Sequence, residues 1–208
     1  MRIVAGRHRG RALKSLPGPA VRPTSDKARQ AVFNILAHGV PGFAFAGISV
    51  ADVFCGTGAL GLEALSRGAA HATFVDKDAA ALKCAKENAA RLGEWKNILT
   101  LRLDAAQIPP PPLAAPAPCA LAFLDPPYGE GLLVPALQGL AARSWLAAGA
   151  IVVAEMGAKE AFEAPRSYAL LQERTYGAAK VAFLRFKGNE SLARGPFESR
   201  RLPRFSLP

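Results

Sequence analysis

From Ile48 onward the chain alternates short apolar runs with segments of helical spacing, and this alternation restricts the possible folds more than any other feature. Stretches 48–54, 72–76, 98–103, 120–124 and 149–155 read as strands, with helical patterns at 58–67, 79–92 and 131–143 between them. Successive strands joined through helices run parallel, because a parallel pair needs a long connection, and a parallel sheet buries both faces beneath helices. A last pair, 168–174 and 178–186 around Gly177, reads as an antiparallel hairpin closing one edge. The expected fold is α/β, with a mostly parallel seven-stranded sheet and a C-terminal antiparallel hairpin. At 208 residues, half of them hydrophobic, the chain has material for one substantial core.

Ahead of this body, 2–5 and 11–16 flank Gly6 and Gly10 as a small basic hairpin would. A helix capped by Thr24 or Ser25 is expected to run to about Ala37, with Ala28, Ala31, Val32, Ile35 and Leu36 on one face. Six prolines between 109 and 118 make that crossover a loop. The expected organisation is a basic extension (1–23), a body (24–187) and a basic, disordered tail (188–208). Formal net charge is +10, and residues 1–29 carry eight Lys or Arg against Asp26 alone, so seven of the ten charges sit there. Such a cluster suits a polyanionic partner. Arg7, Arg9, Arg11 and Lys14 are the candidate contacts to a nucleic-acid backbone, reaching phosphates and not reading bases, since no aromatic residue precedes Phe33.

Cys55, Cys84 and Cys119 are too few and too scattered for a disulfide framework or a zinc site, and the three histidines lack companions at ligand spacing, so no metal is expected. Neither a signal segment nor a run of 18 apolar residues occurs. A cytoplasmic protein with no membrane partner, acting as a monomer, is the expectation.

Two motifs carry chemistry. The first, DVFCGTG from Asp52 to Gly58, places a glycine turn at the end of a strand, where ligands of open parallel sheets bind. Gly56, Gly58 and Gly61 also satisfy the dinucleotide fingerprint, with Asp76 twenty residues after Gly56, so a nicotinamide oxidoreductase is one reading. Asp52 argues against it: a carboxylate before the glycines repels a pyrophosphate yet attracts an ammonium group. S-adenosylmethionine has that ammonium, a ribose diol for Asp76, and an adenine amino group for Asp104, although Asp104 alone reads equally well as a helix cap. Gly56, Thr57 and Gly58 would form the cofactor turn. Cys55 reads as a small filler.

The second motif is DPPY, Asp125 to Tyr128, after the fourth strand. A nucleobase amino group is a poor nucleophile because its lone pair is delocalised into the ring. If the Asp125 carboxylate and the Pro126 carbonyl each accept one N–H, the nitrogen is held toward a methyl donor and its developing positive charge is stabilised. Pro126 and Pro127 stiffen the turn, and Tyr128 stacks on a base flipped out of its helix or already unpaired.

These segments resemble the RsmD-like family of bacterial methyltransferases. The resemblance spans RIVAG (2–6), RGRAL (9–13), VRPT (21–24), VFNIL (32–36), the stretch 51–69 around the glycine turn, and LDPPY (124–128). It implies a class I S-adenosylmethionine-dependent, Rossmann-like methyltransferase fold and methylation of a guanine N2 in 16S ribosomal RNA, the family target being guanine 966. The partner it implies is that RNA in an assembled or assembling small subunit. It further implies that Asp125, Pro126 and Tyr128 hold the guanine, and that Arg22, Pro23 and Thr24 help close the cofactor site. Alternatives are adenine N6 or cytosine N4 methylation in DNA or RNA, and a non-catalytic RNA-binding assembly factor.

Overall fold

The structure, a computed structural model, describes residues 1–16 and 26–188. Helix α1 (Asp26–Gly39) is followed by β1 (Ser49–Val53), α2 (Ala59–Ser66), β2 (His71–Asp76), α3 (Ala79–Leu92), β3 (Ile98–Arg102), β4 (Cys119–Leu124), α4 (Leu133–Ala142), β5 (Leu146–Gly157), β6 (Tyr168–Tyr176) and β7 (Ala179–Phe186). The seven strands form one sheet in the order β3-β2-β1-β4-β5-β7-β6. The first five are parallel; β7 runs antiparallel to both β5 and β6. This is the expected sheet, with the terminal hairpin laid against β5.

Alternation along the strands sorts their side chains onto two cores. Val50, Phe74, Leu121, Phe123, Val153 and Phe183 face α1, α2 and α3, where Phe33 packs on Phe123 with ring centroids 5.4 Å apart. Ala51, Val53, Leu124, Val152 and Leu184 face α4 and the 103–118 crossover. Each large apolar side chain so buried contributes roughly 1.5–3 kcal/mol. The proline-rich crossover is a loop, as expected, with one short 3-10 turn at Ala105–Gln107. Trp145, fully buried, fastens it by donating its indole N–H to the Pro109 carbonyl at 2.7 Å.

The amino-terminal segment is a two-stranded loop held by an Arg2–Ala12 bridge, with Ile3 N donating to Arg11 O and Gly10 N to Ile3 O. It is a structural wall. Fully buried Glu63 of α2 accepts the backbone N–H of Val4 and Ala5 at 2.8 and 3.0 Å. Ser66 Oγ donates to Ala5 O and accepts from His8 N, and Asn88 of α3 brackets Lys14 through both its N–H and its carbonyl. Gly6 sits at φ 80°, and a Cβ there would lie 2.0 Å from the Ser66 carbonyl oxygen, so the close approach requires glycine.

The basic hairpin read from the sequence carries less bare charge than its residues suggest. Arg7 pairs with Glu94 at 2.7 Å and Lys14 with Glu87 at 2.6 Å, while Arg11 Nη2 donates to the Arg91 carbonyl at 2.8 Å. Acids 73 to 87 positions downstream neutralise what the local sequence leaves bare.

Candidate active site

Strand order reverses between β1, whose crossovers lead toward β3, and β4, whose crossover leads toward β5. Neighbouring connections therefore part at the carboxyl ends of β1 and β4 and leave a crevice. A cavity of about 720 Å³ opens there. Its walls come from the turn after β1 (Phe54 to Thr57), from Asp76 to Asp78 after β2, from Asp125 to Tyr128 after β4, from Glu155 near the end of β5, and from Met1, Leu16 and Arg29.

The β1 turn is built from left-handed residues: Phe54 (φ 61°), Gly56 (φ 53°) and Gly58 (φ 76°). A non-glycine residue in this region carries strain and marks a constrained site. A Cβ on Gly56 would meet nothing within 4 Å, which leaves the backbone open to a ligand. Gly58 and Gly61 serve packing, since a Cβ would lie 3.0 Å from Ala85 Cβ and 2.5 Å from Phe74 Cε1 respectively. Asp76 secures the turn by accepting from Gly56 N at 3.0 Å and from Asp78 N at 2.9 Å.

Asp52 is buried, and its Oδ2 accepts the N–H of Gly61 in the first turn of α2 at 2.8 Å. A helix amino terminus is where a dinucleotide pyrophosphate would sit. Here the protein's own carboxylate takes that place, which removes the basis for the nicotinamide reading. Burial pushes the Asp52 carboxyl up to about 8, against the Gly61 hydrogen bond that lowers it, and Asp76 raises it further. A cation arriving at this carboxyl would stabilise its ionised form.

Asp125 follows β4 directly, and burial raises its carboxyl well above the ordinary range, with Glu155 and Asp52 adding repulsion. Pro126 is buried and Pro127 exposed. The Tyr128 ring is 43% exposed at the cavity mouth, yet its hydroxyl is tethered, donating to Glu155 Oε1 at 2.6 Å. The arrangement offers a half-buried acid, Asp125, a buried one, Glu155, and a main-chain turn beside an available aromatic face.

Among the cavity residues that the sequence reading did not assign to the site, Glu155 and Arg29 matter most for its chemistry. Arg29 of α1 is 1% exposed; its Nη2 donates to Asp26 Oδ1 at 2.8 Å and to the Arg2 carbonyl, and its buried Nε has no hydrogen-bond partner. A buried guanidinium with a spare donor suits a carboxylate ligand. With Asp52 for an ammonium, Asp76 for hydroxyls and the open face at Gly56, the residues present fit S-adenosylmethionine.

Thr57 lines the cavity, and Gly58 lies behind it. Asp104 is not brought into the cavity: it is exposed and caps the 3-10 turn, accepting from Ala106 N at 2.9 Å. Arg22, Pro23 and Thr24, with the Thr24 or Ser25 cap, lie outside the described residues, as does the tail beyond Gly188. Cys55 is a buried filler whose thiol burial pushes far up. Of the basic cluster, Arg9 stands exposed at the tip of the amino-terminal loop, and Trp95, 63% exposed with Lys96 5.0 Å over its ring, follows the Glu94 that binds Arg7.

Fold, crevice and glycine turn together define a class I S-adenosylmethionine-dependent methyltransferase. The chain belongs to the family described as conserved hypothetical protein 95, whose pattern matches residues 1–185. It is 34% identical over 189 residues to YlbH of Bacillus subtilis, covering 90% of this chain and all of that one. It is also 34% identical over 179 residues to the ribosomal RNA small subunit methyltransferase D of Escherichia coli, covering 85% of each. Among solved structures, the Escherichia coli protein yhhF superposes with a TM-score of 0.73 at 32% identity, over 90% of this chain and 98% of that one.

Proposed function

We propose that this chain methylates the exocyclic N2 of a guanine in 16S ribosomal RNA, the family's guanine 966 being the expected position. The observation that carries the reading is the placement of Asp125 and Pro126 in the same cavity as the Gly56 turn and Asp52. S-adenosylmethionine, held by Arg29, Asp52, Asp76 and the turn, supplies an activated methyl carbon.

The chain's own residues prepare the nucleophile. The Asp125 carboxylate and the Pro126 carbonyl accept the two amino hydrogens, which aims the nitrogen lone pair and stabilises the positive charge that develops on it. Asp125, already raised by burial, is suited to take the surplus proton. Pro127 fixes the direction of the turn. Tyr128 stacks on the base, and its tether to Glu155 lowers the entropy lost in ordering the ring. The base must leave its helical stack to reach this cavity.

Relatives named for small-subunit ribosomal RNA support an RNA substrate, and we take it to be folded RNA in an assembled or assembling subunit, met in the cytoplasm by a monomer. Arg9 and Arg11 supply contacts to the RNA backbone away from the cavity; Arg7 and Lys14 join them only by sharing their carboxylate partners. The test is labelled methyl transfer to small subunits lacking the modification, with nucleoside mapping of the product. Label on guanine N2 is expected. Label confined to adenine or cytosine, or no label while S-adenosylhomocysteine still binds, overturns the reading.

A further inference from the structure

β5 reads LAAGAIVVAEMG, and Glu155 is its single charged residue. Placing a carboxylate near the end of an otherwise apolar central strand costs several kcal/mol unless it is satisfied or used. Glu155 is 9% exposed and lines the cavity. In the parallel register Leu124 pairs with Ala154, so Asp125 and Glu155 occupy the next position on neighbouring strands and repel one another. Two adjacent acceptors, Asp125 half-buried and Glu155 buried, suit a ligand edge made of adjacent donors, since a carboxylate has more lone pairs than one hydroxyl occupies.

Guanine has that edge. Its N1–H stands beside the 2-amino group, giving three N–H hydrogens in a row. Adenine flanks its amino group with the N1 lone pair, and cytosine flanks its own with N3, so either would set a lone pair against a carboxylate. We propose that the Glu155 carboxylate selects guanine by accepting its N1–H while Asp125 and Pro126 hold the neighbouring amino group. The Tyr128 hydroxyl holds the carboxylate within the cavity that would receive the base. Glu155 thereby gives the site a physical reason to take guanine, which the DPPY turn alone does not. The inference rests on guanine N2 methylation being the reaction.

The test uses small subunits reconstituted with 16S ribosomal RNA carrying either guanine or 2,6-diaminopurine at the target. Diaminopurine keeps the 2-amino group but presents a lone pair at N1. Wild-type protein is expected to methylate the guanine substrate with a kcat/KM about a hundredfold higher, the effect of facing a buried acceptor with another acceptor. Glu155→Gln should lose most of its rate on guanine and prefer diaminopurine, because the carboxamide N–H can donate to N1. Tyr128→Phe should keep the wild-type preference at a lower rate, and S-adenosylhomocysteine affinity, measured by calorimetry, should be unchanged in Glu155→Gln.

Equal use of both substrates by the wild type overturns the proposal without any variant being needed. So does a Glu155→Gln protein slowed equally on both, which would reduce Glu155 to a tether for Tyr128. Wild-type protein that methylates neither substrate fails the functional reading itself, and is told apart by its inactivity on guanine.

Discussion

Replacing Asp52 with asparagine separates the cost of a buried charge from its use. The folded carboxyl sits at about 8 against an ordinary 3.8. At about 1.4 kcal/mol per pH unit, that gap places on the order of 5 kcal/mol against the ionised form in the empty protein. Because the folded pKa is the higher one, folding retains a proton that the unfolded chain releases between these values. The contribution of Asp52 to stability is intact below about pH 4, declines as pH rises, and is gone above about pH 8. Asparagine never ionises and still offers its carbonyl oxygen to the Gly61 N–H. Urea unfolding of the ligand-free proteins at pH 5, 6.5, 8 and 9 should show the variant gaining on wild type as pH rises, then levelling off, with Asp125 present in both and cancelling to first order. S-adenosylhomocysteine affinity should fall at least about tenfold in the variant, as expected on removing a charged hydrogen-bond partner. A stability difference that does not change with pH would refute the account of Asp52 as a carboxyl whose charge is unwelcome until a cation arrives.

Four other outcomes are expected. Because burial raises Asp125, wild-type kcat/KM should fall with acidification at a pH well above the ordinary carboxylate range, and Asp125→Asn should lose turnover about a thousandfold or more with donor-product binding retained; a pH-rate profile with single-turnover assays checks both. Arg29→Lys should weaken S-adenosylhomocysteine by about tenfold or more yet leave 5′-methylthioadenosine, which lacks the carboxylate, unaffected in calorimetry. Glu63→Ala strands two backbone N–H groups and the Arg67 guanidinium, and should destabilise by about 3–5 kcal/mol in denaturant unfolding, with residues 1–16 exposed to limited proteolysis. Replacing Arg9 and Arg11 together should flatten the salt dependence of RNA binding in filter assays, with donor-product affinity unchanged.

Regular elements were legible because their signals are local. Period-two runs gave the strands, Asp78 and Gly93 bracket α3 as cap residues should, and the prolines announced the 109–118 loop. Asp52, Asp76 and Asp125 were visible because each ends or follows an apolar strand. Glu155 carried the same signal, a lone acid late in an apolar run, but lay in a strand that no motif marked. Arg29 was equally readable: with Val32, Phe33 and Leu36 it keeps the helical spacing of a buried face, so an arginine there is a cation placed inward. The role of the amino-terminal segment was not legible. Its charges are paired with Glu87 and Glu94 and its backbone is held by Glu63, and no local pattern reports a partner some sixty to ninety positions away.

That segment also sets an order on maturation. Synthesis delivers residues 1–16 before their anchors in α2, in α3 and at Glu94. Until then this segment has nothing to dock against, and Met1 and Leu16 cannot take their places in the wall of the cavity. The donor compartment is therefore completed retrospectively, by a stretch of polypeptide returning to a scaffold younger than itself.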